Sequence, residues 1–137
     1  MARIMALDFG KKRTGVAVSD PEQIIARGLE TVPTDELIGY MKKYFKEEPV
    51  ELVIIGYPLN MDNTPTDATP LVEKFIGKYT HVFPDVKIVK VDERLSSKMA
   101  STAISGMGLR KKVREEKGLI DTVAATILLQ DYLGGRR

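Results

Sequence analysis

Residues 4–20 read IMALDFGKKRTGVAVSD, and the interpretation of this stretch decides the fold. An apolar run of strand character reaches a lone carboxylate at Asp8. The chain then turns through Gly10, Lys11, Lys12, Arg13 and Gly15 and returns as a second apolar run, residues 16–18. Two such runs joined by a short glycine-bearing polar segment form a β-hairpin. A carboxylate inside an otherwise buried strand is costly unless a cation, a metal or a hydrogen-bond network compensates it. The lysines and the arginine of the turn suit phosphate, and Gly10 and Gly15 let the backbone turn tightly and come close to a ligand. The hairpin thus points to a carboxylate and a polyanion in one place.

Beyond the hairpin, residues 24–32 have strand character between Pro21 and Pro33 and read as an edge strand. Thr34 stands in N-cap position ahead of Asp35 and Glu36, and Leu37, Ile38, Met41, Tyr44 and Phe45 recur at helical spacing up to Pro49. Residues 50–57 carry the unbroken apolar run Leu52, Val53, Ile54 and Ile55, as in a strand covered on both faces. Residues 59–70, rich in Pro, Thr, Asp and Asn, read as an exposed loop. A helix over 69–79 turns Leu71, Val72, Phe75 and Ile76 inward, and residues 86–91 form a strand that runs into Asp92, Glu93 and Arg94. A further helix fits about 95–105. After Gly106 and Gly108 comes the basic run RKKVREEK, residues 110–117, a loop or a frayed helix. The last helix spans 119–133 with Ile120, Val123, Ala124, Ile127 and Leu128 inward, and Gly134 and Gly135 stop it. This order predicts an α/β fold with a five-stranded mixed sheet, antiparallel early and parallel later, flanked by helices on both faces.

The chain has 137 residues, 43% of them hydrophobic and 29% charged, which fits one globular domain over 1–137 with a core that needs no disulfide or structural metal. The absence of cysteine removes thiolate zinc sites and cysteine nucleophiles, and it is compatible with a reducing compartment, the cytoplasm being the expected location. Few apolar residues separate Arg3 from Asp8, too few for a signal-peptide core, and no apolar run approaches the length of a membrane span. The net charge is only +2, so nucleic-acid binding has to rest on where the charges lie. Lys11, Lys12 and Arg13 form one cluster, and Arg110, Lys111, Lys112, Arg114 and Lys117 form another, with Arg136 and Arg137 at the end of the sequence. Each cluster taken singly also reads as a solvated face.

Three carboxylates are placed to carry chemistry. Asp8 ends the apolar run of the first strand, Glu93 follows the last strand, and Asp121 falls in the expected first turn of the last helix. If the first and last strands lie close in one sheet and the last helix packs across it, the three converge. Such a set repels itself unless hard divalent cations, Mg²⁺ or Mn²⁺, neutralise it, and a pair of ions about 4 Å apart supports phosphodiester hydrolysis. The basic clusters would then attract a substrate that carboxylates alone repel. Plainer readings stand beside this one. Asp121 could serve the helix dipole, and Glu93 could pair on the surface with Arg94 or a nearby lysine. Other motifs fail: Val16 and Ala17 stand where a Walker A loop needs Lys and Ser or Thr, and His81, the only histidine, lies in an expected connector. Met5, Met41 and Met99 read as core fillers.

The ordered set LDFGKKRTGVAVSD, IIGYPLNMD, VDERLSS and IDTVAATILLQDYL resembles the YqgF/RuvX family of Holliday junction resolvases and pre-ribosomal-RNA nucleases over almost the whole length. The resemblance implies a ribonuclease-H-like fold similar to that of the resolvase RuvC. It further implies that Asp8, Glu93 and Asp121 are the metal-binding catalytic set, with Lys12, Arg13 and Arg94 facing substrate or orienting carboxylates. Two departures are small: Asn63 where the family commonly has Gly, and Leu-Ser-Ser after DER in place of Leu-Thr-Thr.

The expected activity is that of a metal-dependent endonuclease on structured nucleic acid, maturing the 5′ end of small-subunit ribosomal RNA, with the ribosomal subunit as a partner. Resolution of four-way DNA junctions is the alternative, and it calls for a two-fold dimer, whereas RNA trimming needs one site. An RNA- or ribosome-binding module with little catalysis remains a third reading. A nucleotide-binding role is a fourth, because DFGKKRTG is also similar to the first phosphate loop of actin-like ATPases.

Overall fold

The computed structural model describes residues 2–57, 69–92 and 117–135. The hairpin forms as its sequence dictates: β1, Arg3–Asp8, and β2, Arg13–Ser19, pair antiparallel, with Met5 opposite Val18 and Asp8 opposite Gly15. β3, Ala26–Pro33, pairs antiparallel with β2 on the outer side and carries an irregularity opposite Val16 and Ala17. A 3-10 turn, Thr34–Glu36, leads into α1, Leu37–Glu47. β4, Val50–Tyr57, lies parallel to β1, α2 spans Thr69–Val82, and β5, Lys87–Asp92, lies parallel to β4. A final helix, α3, spans Lys117–Gly135. The strand order β3-β2-β1-β4-β5 makes β1 the central strand and β3 an edge, as its flanking prolines implied.

The sheet is mixed and five-stranded, antiparallel through the hairpin and parallel after α1, as expected. Its two faces are packed differently. Met5, Leu7, Val16, Val18, Val53 and Ile55 meet Leu37 and Met41 of α1 and Val72, Phe75 and Tyr79 of α2. Ile4, Ala6, Ala17 and Ile54 meet Ala125, Leu128, Leu129 and Leu133 of α3. The alternation along β1 produces this division, since successive strand residues point to opposite faces. On the α1–α2 face an aromatic file runs through Phe9, Phe75, Tyr79, Phe83 and Phe45, with neighbouring ring centroids 4.9–6.2 Å apart. Burial pushes the Tyr79 phenol up, because its ionised form would lose hydration.

Several local expectations shift. β3 begins at Ala26, leaving Ile24 and Ile25 exposed in the connection from β2. α2 continues to Val82, so His81 lies in its last turn and not in a connector. α3 begins at Lys117, which moves Asp121 beyond the first turn, where a helix dipole acts most strongly. Its buried residues include Ala124, Ala125, Leu128, Leu129 and Leu133, while Val123 and Ile127 are only half-buried. The helix expected over 95–105, Met99 and residues 59–68 of the loop expected over 59–70 lie outside the described residues, while Thr69 and Pro70 open α2. Among the described residues no helix is long and apolar enough to cross a membrane.

Candidate nuclease site

Asp8 continues the alternation that sends Ile4 and Ala6 toward α3, so its half-buried carboxylate belongs to the α3 side of the central strand. Gly15 lies directly opposite it on β2, and Thr31 lies opposite Gly15 on β3. On the other flank Leu7 pairs with Ile55, so the next step of that register sets Asp8 beside Gly56, which pairs with Val91 of β5. The row across the sheet is Thr31, Gly15, Asp8, Gly56, Val91. Both neighbours of Asp8 in this row are glycines, so no side chain rises beside it from either adjacent strand.

The last helix covers the same end of the sheet. The hydroxyls of Thr31 and Thr122 are 2.7 Å apart, so α3 is tied at Thr122 to the row that contains Asp8. Gly28 receives the helix: a Cβ there would stand 2.8 Å from Thr122 Cγ2 and 3.0 Å from Thr126 Oγ1. Magnitude separates the roles of these contacts. Each buried leucine of α3 contributes about 1.5–3 kcal/mol and the threonine bond about 1 kcal/mol. The leucines therefore supply the adhesion, and the threonines fix where along the sheet the helix sits. Asp121 precedes Thr122 in this helix, and its side chain lies outside the described set.

β1, β4 and β5 are parallel, so their C-terminal ends share one edge of the sheet. β5 lies two strands from β1, about 10 Å at the usual spacing. The first and last strands are thus separated by β4, and it is their common direction that brings Asp8 and the end of β5 to one side. Glu93 and Arg94 follow Asp92 in the sequence and lie outside the described residues, as do Arg110, Lys111, Lys112 and Arg114. Among the described residues no three His, Cys, Asp or Glu side chains form a metal-holding group.

The basic turn follows Asp8 directly. Lys11 and Lys12 are exposed, and Arg13, two residues before Gly15, is on the α3 side of β2. Gly10 closes the turn: a Cβ there would meet the Arg13 carbonyl oxygen at 2.3 Å, a distance no other residue tolerates. Thr34 does not cap α1 through its side chain. Its hydroxyl donates to the Gly10 carbonyl at 2.6 Å and touches the Thr14 hydroxyl at 3.0 Å, and its amide donates to the Lys12 carbonyl at 3.0 Å. The reading of the sequence missed Thr31, Gly56, Thr122 and this use of Thr34. The glycines inside strands carried a usable signal, since Gly in a strand marks a close approach, whereas the threonine pairings depend on tertiary contact.

The family model described as RuvX, Holliday junction resolvase, matches residues 2–135. A protein of Flavobacterium johnsoniae named "Putative pre-16S rRNA nuclease" is 49% identical over 137 residues, covering 100% of this chain and 99% of that one. A protein of the same name from Phocaeicola vulgatus is 45% identical, again over 100% of this chain and 99% of the relative. Among solved structures, Thermus thermophilus RuvC in complex with Holliday junction substrate aligns with a TM-score of 0.58 at 16% identity, over 98% of this chain and 95% of that one. That likeness bears out the ribonuclease-H-like fold.

Proposed function

The chain belongs to the RuvX family, and from that premise we propose that it is an endonuclease that matures the 5′ end of pre-16S rRNA, residues 1–137 forming its single nuclease domain. One observation carries the reading: the central strand ends in a carboxylate set between two glycines, beneath the helix that bears Asp121 and beside a turn of three cations. A binding module would gain nothing from this arrangement, because an anion at the floor of a phosphate-binding surface weakens binding.

In this proposal Asp8, Glu93 and Asp121 would hold Mg²⁺ or Mn²⁺, theirs being the oxygen-only donor set that such hard cations take, and the metal would supply water activation and charge neutralisation at the phosphodiester. The remaining work belongs to the chain. Lys11, Lys12 and Arg13 hold the phosphates flanking the cut. Arg94, Arg110, Lys111, Lys112 and Arg114 supply further cations for the phosphates of the substrate. The ribosomal subunit under assembly is the partner that delivers this RNA, and the cytoplasm is where the two meet.

The test is cleavage of a labelled RNA spanning the pre-16S 5′ end, with Mg²⁺, Mn²⁺ or chelator. The expected result is metal-dependent cutting that falls by at least about 100-fold in Asp8→Asn, a loss typical of removing a group that acts on the reacting phosphate. Tight binding without cutting in any metal would reassign the chain to RNA binding. The description of the matching family favours one further substrate, the four-way DNA junction. Paired, symmetric nicks in a junction and none in the RNA, by a dimeric protein, would establish that substrate instead.

A further inference from the structure

Thr34 is set in the sequence like a helix cap, and its hydroxyl is engaged elsewhere, on a turn 24 residues earlier. The hydroxyl has one proton, which goes to the Gly10 carbonyl at 2.6 Å, so at the 3.0 Å contact with Thr14 the proton comes from Thr14. Thr14 is fully buried, and a buried hydroxyl needs such a partner. With the Thr34 amide on the Lys12 carbonyl, one residue binds the carbonyls at both ends of the Gly10–Lys12 segment.

Those two carbonyls matter because they are the negative ends of peptide dipoles. A phosphate lying on this turn would be repelled by any carbonyl facing it and attracted by an amide. Thr34 draws both carbonyls to its own side, and the trans peptide then directs the Lys11 amide away from Thr34. The Lys11 and Lys12 side chains are exposed, and the turn closes on Gly10, where there is no room for a Cβ. A preformed turn also spares the substrate the cost of ordering it.

We propose that Thr34 is a positioning residue for substrate binding, holding the Lys11–Lys12–Arg13 turn in the form that receives the phosphate backbone. The inference rests on the reading that this turn contacts phosphate. Thr34→Val keeps the branched shape but leaves both the Gly10 carbonyl and the Thr14 hydroxyl without their bond, and Thr34→Ser keeps the bond.

The experiment measures binding of a fluorescein-labelled pre-16S 5′-end RNA in chelator across a salt series, KM and kcat for its cleavage, and the thermal midpoint, for wild type, Thr34→Val, Thr34→Ala, Thr34→Ser and Lys11→Ala/Lys12→Ala. A four-way DNA junction is run in parallel. Thr34→Val is expected to weaken binding and raise KM by roughly fivefold, the worth of about one hydrogen bond, with kcat within about twofold and a shallower salt dependence. Thr34→Ser is expected to restore all of these. Wild-type affinity in Thr34→Val, or a fall in kcat at unchanged KM, would overturn the inference. So would failure of both Thr34→Val and Thr34→Ala to fold, which would assign the hydroxyl to general stability. If the double lysine variant itself binds both probes like wild type, the underlying reading of the turn fails. If it loses binding while Thr34→Val does not, only the role of Thr34 fails.

Discussion

Asp20, at the far end of β2 from the candidate site, fixes the connection to β3 with a single side chain. Its Oδ1 accepts from the amides of Ile24 and Ile25 at 2.7 and 2.8 Å, and its Oδ2 accepts from Glu22 at 3.2 Å. Gln23, inside this loop, has φ of 60°, a left-handed backbone that the surrounding bonds sustain. The Ile25 amide above all, helped by those of Ile24 and Glu22 and opposed by burial, holds the carboxyl below its ordinary 3.8. A carboxyl depressed in the folded state contributes stability above its unfolded value and loses that contribution as pH falls through the folded one. Asp20→Asn is therefore expected to lower the thermal midpoint at neutral pH, with the gap from wild type closing below about pH 4, the ordinary carboxylate value. A gap that stayed constant to pH 2 would show that the charge is irrelevant. Asp8 was legible in the sequence because a charge inside an apolar strand has few explanations. Thr34 was not, because its hydroxyl acts at a turn that only folding brings near.

Among the elements, α3 departs most from its sequence pattern. Apolar residues at Val123, Ala124, Ala125, Ile127, Leu128 and Leu129 surround much of the helix, so periodicity alone does not select the inward face. The sheet selects it: Ala6, Ala17 and Gly28 leave a shallow bed, and Ala125, Leu128, Leu129 and Leu133 fill it. β4, by contrast, was read to its ends because an apolar run bounded by Gly56 and Pro58 has one interpretation. Gly28 gives the bed a sharp test. A methyl group there meets Thr122 Cγ2 at 2.8 Å, and that side chain is stiff, being β-branched in a helix and bonded to Thr31. Gly28→Ala is expected to cost about 1–3 kcal/mol by overpacking. In a Thr122→Ala background the same change is expected to cost less by about 1 kcal/mol or more, a coupling read from a double-mutant cycle of denaturant unfolding. Simple additivity would mean that the helix yields by moving as a body.

For the whole molecule the question is whether polyanion binding follows total charge or its placement. The formal net charge of +2 is too small to bind nucleic acid by itself, and the cations are spread over both faces of the sheet. Lys11 and Lys12 stand in the turn after Asp8, while Lys42 and Lys43, also exposed, stand on α1 across the sheet from α3. Replacing either pair by alanine takes the formal net charge from +2 to zero, so the two double variants are matched in total charge. At physiological salt an exposed charge is screened beyond about 8 Å, which separates the local contribution of each pair from the molecule's overall field. A lysine that neutralises a phosphate releases a counterion, so its loss should reduce the slope of log affinity against log salt by about 0.7–0.9. The Lys11→Ala/Lys12→Ala slope is expected to fall by about 1.5 from that of wild type, and the Lys42→Ala/Lys43→Ala slope by less than about 0.5. Equal losses would mean that the RNA senses only net charge, or that it wraps onto the α1 face. The reverse order would move the binding surface there and detach it from Asp8. The predicted order follows from topology, because the hairpin delivers its cations at the edge where the parallel strands end, and α1 begins only after the chain has crossed to the other face.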